Sequence, residues 1–149
     1  LVTLVMAGFE ETITVNVSVA FFVPALVYIA GAIGSQAVSV AVRGLSVGTI
    51  KIGVLVRDET IIGSAIGTVL GIVSALAVFG LMGDANLAYA VGLAVLAAGT
   101  VSAAVGFSLP WLFQRLGFDP ALGSGPICTV IQDIASLLIY FVLVALIVI

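Results

Sequence analysis

The sequence predicts an all-α, polytopic membrane protein, on three observations. Hydrophobic residues make up 63% of 149, charged residues only 7%, and the mean hydropathy of the chain is +1.45. A soluble domain carries roughly 25% charged residues, so seven acids and four bases are too few to clothe a water-facing surface. The surroundings that fit are a lipid bilayer. A membrane-crossing helix needs about 20 predominantly apolar residues, and the chain reads as one domain, 1–149, of five transmembrane helices, the first of them partial. It opens at Leu1 inside an apolar stretch, without Met or a basic segment, which points to a trimmed or partial chain and not to a signal peptide.

The runs follow in order. Leu1 to Gly8 reads as the tail of a first helix, ended by Phe9, Glu10 and Glu11. A second run, from about Val15 to Val42, contains Pro24, Gly31 and Gly34 and is long for one straight span. Arg43 to Glu59, with Lys51, Arg57 and Asp58, reads as a connecting segment, and Ile61 to Met82 as the third span. Gly83, Asp84, Ala85 and Asn86 make a turn into a fourth span, Leu87 to Phe107. Pro110 to Gly125 is loop-like, with Arg115 and Asp119, and Pro126 opens the last span, apolar to Ile149.

Basic residues gather on the cytoplasmic side of membrane proteins. Arg43, Lys51, Arg57 and Arg115 all fall in the second-to-third and fourth-to-fifth connections, which alternating spans place on one face. Segments 43–59 and 109–125 are therefore expected in the cytoplasm, and Glu10, Glu11, Asp84 and the C-terminus outside, in a multi-pass plasma-membrane protein.

Composition removes several functions. With no histidine, the usual proton shuttle and the commonest zinc ligand are missing. The single cysteine, Cys128, cannot form an intrachain disulfide. A net charge of −3 with no basic run leaves no footprint for nucleic acid. An intramembrane aspartyl protease needs two carboxylates sharing a proton, and only Asp133 is placed for that. The chain is not expected to be an enzyme.

Two small-residue stripes mark close helix approaches. Gly63, Gly67 and Gly71 recur every four residues, and Gly92, Gly99 and Gly106 every seven. Such stripes serve internal helix packing or a subunit contact.

Asp133 is the acid set well inside an apolar span. An Asp there costs roughly 2.5 to 3.5 kcal/mol on insertion scales and persists where it meets an aqueous path or a partner. Thr129, Asp133, Ser136 and Tyr140 share one helical stripe, the form one wall of a hydrophilic pathway takes; the alternative is a protonated, purely structural Asp. For an opposite wall, Pro24 removes a helix hydrogen bond and Gly31 and Gly34 loosen the following turns, so free carbonyl oxygens near Gly31 to Ser35, with Ser35 and Gln36, would offer neutral oxygen ligands suited to a hard cation such as magnesium. A proline kink with no ligand is the other reading.

The run Phe22, Val23, Pro24, Ala25, Leu26, then Gly31, Ala32, Ile33, Gly34, Ser35, Gln36, Ala37, and Arg43, Gly44, Leu45 resembles the second membrane helix of the MgtE family of magnesium transporters. Asp119, Pro120, Ala121, Ser124, Gly125, Pro126, then Thr129 to Asp133 and Leu138 to Phe141, resembles the start and core of that family's fifth helix. Phe9, Glu10, Glu11 is similar to its acidic spacing before the second. The resemblance covers essentially the whole chain and implies a homodimer with a cation pore at the subunit interface, lined by the second and fifth helices. It places the family's pore aspartate on Asp133, acting on a largely hydrated magnesium ion with help from Thr129 and the backbone around Gly31. Asp119, Glu10 and Glu11 are candidates for the pore mouths. Two departures accompany it: Ile33 stands where the family usually carries Asn, which puts selectivity among divalent metals in question, and the cytosolic regulatory domains of bacterial members have no counterpart here. The expected function is a dimeric divalent-cation transporter or channel. The alternatives are a non-transporting membrane assembly subunit and a proton-coupled metal exchanger.

Overall fold

The computed structural model describes residues 2–47 and 52–148. Its order is α1 (Val2–Gly8), α2 (Glu10–Val15), α3 (Ser18–Val47), α4 (Ile52–Met82), α5 (Ala85–Arg115), a 3₁₀ turn (Pro120–Ser124) and α6 (Pro126–Ile147). Four helices, α3 to α6, are long and apolar enough to cross a bilayer. The partial first helix expected over Leu1 to Gly8 is not among them: α1 has seven residues and α2 six, and at 1.5 Å per residue seven residues reach only about 10 Å. Val2, Val5, Met6 and Phe9 instead pack on the main core, with the ring of Phe9 stacked on Phe141 at 4.8 Å.

Just before α3, the side-chain oxygen of Asn16 accepts a hydrogen bond from the amide of Ser18, the first residue of the helix, at 3.1 Å, so an amide that the helix leaves orphaned at its start is satisfied. Pro24 does not end the helix, which is continuous to Val47. The connecting segment expected over Arg43 to Glu59 is mostly helical. Arg43 lies in α3, and Arg57, Asp58 and Glu59 lie in α4, while Lys51 falls outside the described residues. The 31 residues of α4 extend about 46 Å, more than the roughly 30 Å of hydrocarbon. Charge therefore marks where lipid ends, not where the helix does.

Between α4 and α5 the turn is tight. Gly83 takes φ +70, which suits a residue without Cβ, and Asp84 caps α5 by accepting from the Leu87 amide at 3.0 Å. The break expected at Pro110 is absent; α5 passes through it and stops at Arg115. The stop is a Schellman motif: Gly117 has φ +84, the Phe118 amide donates to Phe113 O at 2.9 Å and the Gly117 amide to Gln114 O at 3.0 Å. The rings of Phe113 and Phe118 close it at 6.2 Å.

The central helix is α5. On one side its Gly92, Leu96 and Ala103 meet Gly71, Gly67 and Gly63 of α4; on another, Gly99 and Gly106 meet Ile33 and Gly34 of α3. Both glycine stripes thus serve packing inside one chain, where backbones approach closely. The core continues through Val19, Leu26, Leu137, Tyr140 and Phe141. Buried Tyr140 satisfies its hydroxyl by donating to Val19 O at 2.7 Å, joining α6 to the start of α3. The outer face of α4 exposes Val69, Ile72, Val73, Leu76 and Phe79, as a lipid-facing helix does.

Candidate cation site

A groove of about 390 Å³ opens between α3 and α6. It is lined by Val27, Tyr28, Gly31, Ala32 and Ser35 from α3 and by Thr129, Gln132 and Asp133 from α6. Helical spacing explains the polar wall: Thr129 and Asp133 are one turn apart on one face of α6, and Gly31 and Ser35 are one turn apart on α3. Asp133 lies seven residues, about 10 Å, inside α6 from Pro126. It is half-buried. Among the described residues no three of Asp, Glu and Cys cluster as a metal cage, so one chain brings a single carboxylate to the groove.

Of the residues singled out in the sequence, Gly31, Ser35, Thr129 and Asp133 meet here. Gly34 does not line the groove; it faces the Gln132 side chain, which fills the place a Cβ would take. Gln36 is exposed and outside the lining. The free carbonyls expected near Gly31 to Ser35 are not found: the backbone there is helical, and Ser35 O also accepts from the Ser39 hydroxyl at 2.9 Å. The sequence supplied no second break to turn Pro24 and two glycines into an unwound segment, and packing on α5 holds the helix together.

The remaining acids lie at the two ends. Asp119 is exposed and caps the 3₁₀ turn by accepting from the Ala121 amide at 2.8 Å. Glu10 and Glu11 border a separate open depression with Thr14 and Val15, at the end of the bundle where α6 finishes. Arg43, Arg57 and Arg115 sit toward the opposite end, the end of Asp119. Two residues escaped the sequence reading. Gln132 is 3% exposed and Glu59 7%; Glu59 is four residues before Gly63, on the face of α4 that meets the bundle. Its spacing from Gly63 was the available signal, hidden by its place in a charged run.

The profile of the MgtE family, described as divalent cation transporter, matches residues 23–143. The chain belongs to the MgtE family. It is similar to the magnesium transporters MgtE of Enterococcus faecalis, 34% identical over 139 residues, of Bacillus subtilis, 31% over 144 residues, and of Thermus thermophilus, 29% over 143 residues. The matches cover 91%, 92% and 91% of this chain and 31% of each relative. This MgtE-family chain thus spans about a third of the length of those relatives, and both walls of the groove lie within the matched residues.

Proposed function

We propose that this chain is the membrane-embedded unit of a divalent-cation transporter, with magnesium as the transported ion and Asp133 as the central site. The observation that carries it is the groove. An acid inside an apolar helix, flanked by the Thr129 and Ser35 hydroxyls and free of any Lys or Arg in the lining, has kept its charge-bearing group where only water or a cation can compensate it. Magnesium dehydrates reluctantly and prefers six oxygen ligands; six waters at about 30 Å³ each fill roughly 180 Å³, less than the groove's 390 Å³. Helix carbonyls are already committed, so the ion is held by Asp133, Thr129 and Ser35 through its own water shell. Membership of a divalent-cation transporter family and likeness to magnesium transporters support the same reading.

The groove is open on the side where Tyr28 is 79% exposed. A second copy placed against this face closes it and brings a second Asp133, giving one divalent ion two charges; the working unit is a homodimer. By the distribution of Arg43, Arg57 and Arg115, the α3–α4 and α5–α6 connections are cytoplasmic, and Glu10, Glu11, Asp84 and the end of α6 face outward. Asp119 then lies at the inner mouth and Glu10 and Glu11 at the outer one. The test is magnesium uptake into liposomes by wild type and Asp133→Ala at matched incorporation. Loss of flux in the variant is expected. Equal flux would refute the site, and no flux of any metal by wild type would favour an assembly role.

A further inference from the structure

The neighbour of Asp133 is a polar side chain set deeper in the bundle than the acid itself. Gln132 is 3% exposed, and its Nε2 donates to Ser102 O of α5 at 3.0 Å. Its amide occupies the space left by two glycines on two other helices. A Cβ at Gly34 of α3 would collide with the amide, and one at Gly106 of α5 would stand 2.5 Å from Gly34 O and 3.1 Å from Gln132 Nε2. Ser102 and Gly106 are one turn apart, so the amide lies over a single window of α5. Three helices are therefore keyed together at one level by one side chain, and that level is the level of the groove, whose lining includes Gln132.

Consecutive residues of a helix point about 100° apart. With Gln132 fixed inward, the rotation of α6 is set, and Asp133 is directed into the groove. The same key sets how far α3 stands from α6, hence the width of the groove that Ser35 and Asp133 both line. Magnesium demands near-ideal octahedral coordination and keeps its waters, while calcium accepts six to eight oxygens in flexible geometry. A groove of fixed width discriminates between two such shells; one that breathes adapts to both.

We infer that Gln132 is a positioning residue that, seated in the Gly34–Gly106 notch, fixes Asp133 and the groove width and thereby determines discrimination of hydrated magnesium against calcium. The selectivity part rests on the transport reading above; the positioning part does not. Gln132→Met keeps length and removes the amide. In proteoliposomes of the full chain, the ratio of magnesium to calcium uptake should fall by about tenfold, the change expected for loss of one such bond. Gly34→Ala, which displaces the amide from the opposite side, should lower the ratio in the same direction and serves if Gln132→Met does not fold. Independently of transport, Thr129→Cys in a Cys128→Ala background should react with a charged methanethiosulfonate at a rate changed about tenfold by Gln132→Met. Equal loss of both ion fluxes at an unchanged ratio would overturn the selectivity role, and an unchanged Thr129→Cys reaction rate would overturn the positioning role. Absence of any flux in wild type would sink the transport reading, and selectivity with it, leaving the thiol reaction to decide the positioning claim.

Discussion

Two alanine substitutions in one helix separate tertiary packing from helix propensity. At Gly71, a Cβ would lie 2.6 Å from Gly92 O of α5, a backbone atom that cannot swing away; at Gly80, nine residues on in the same helix, it would meet nothing within 4 Å. Restoring an ordinary contact at Gly71 requires α4 and α5 to part by about 0.8 Å, and overpacking of this kind costs about 1–3 kcal/mol. Replacing helical Gly by Ala returns roughly 0.5–1 kcal/mol at either site. Gly71→Ala should therefore lose up to about 2.5 kcal/mol and Gly80→Ala gain about 0.5–1 kcal/mol, and since the propensity gain is common to both, the gap equals the overpacking cost of about 1–3 kcal/mol. For a chain of this size each kcal/mol moves Tm by about 2–4 °C, so thermal unfolding of the purified protein in detergent should separate the two variants by about 2–12 °C. Equal melting temperatures, or the reverse order, would refute the close approach of α4 to α5.

Other substitutions probe single contacts. Tyr140→Phe removes the 2.7 Å bond to Val19 O and with it the tie from α6 to the first turn of α3; a loss of about 0.5–1.5 kcal/mol is expected in the same melt. Asp84→Ala removes the cap on the Leu87 amide and should cost about 1 kcal/mol, whereas Asp84→Asn should retain most of it. Buried Ser102 Oγ has no hydrogen-bond partner among the described residues, so Ser102→Ala should leave the melting temperature unchanged or raise it, and a loss above about 1 kcal/mol would show that the hydroxyl is in use.

What could be read from the sequence follows from which signals are local. Apolar run length located the four long helices α3 to α6 but also read Leu1 to Gly8 as part of a fifth, and the Gly83–Asn86 turn was legible because a glycine and a capping Asp announce it. The α5 stop could have been read at Gly117, two residues after Arg115, but Pro110 drew the boundary too early; a proline removes one hydrogen bond, and the packing of α5 on α3 and α4 supplies more than it loses. Charges at Arg57 to Glu59 looked like a loop because hydropathy reports the solvent and not the backbone. Of the stripe Thr129, Asp133, Ser136 and Tyr140, period placed the first two on the groove, while Ser136 and Tyr140 are buried in the bundle instead. The opposite wall was only half legible: Gly31 and Ser35 line the groove, while Gly34 faces Gln132, a partner nearly one hundred residues away that no local pattern reveals. That pairing also explains why a lone buried Gln was passed over, since its partners, Ser102 O and the Gly34–Gly106 notch, exist only once three helices meet.

The central claim is that Asp133 in the α3–α6 groove, supplied by each copy of a dimer, carries the transported ion. The direct measurement is uptake of magnesium, calcium, manganese, cobalt and zinc into liposomes holding wild type or Asp133→Asn, with the oligomeric state of both checked by crosslinking. The account predicts magnesium flux in wild type, its loss in Asp133→Asn, and a dimer in both. Undiminished magnesium flux through Asp133→Asn would contradict it.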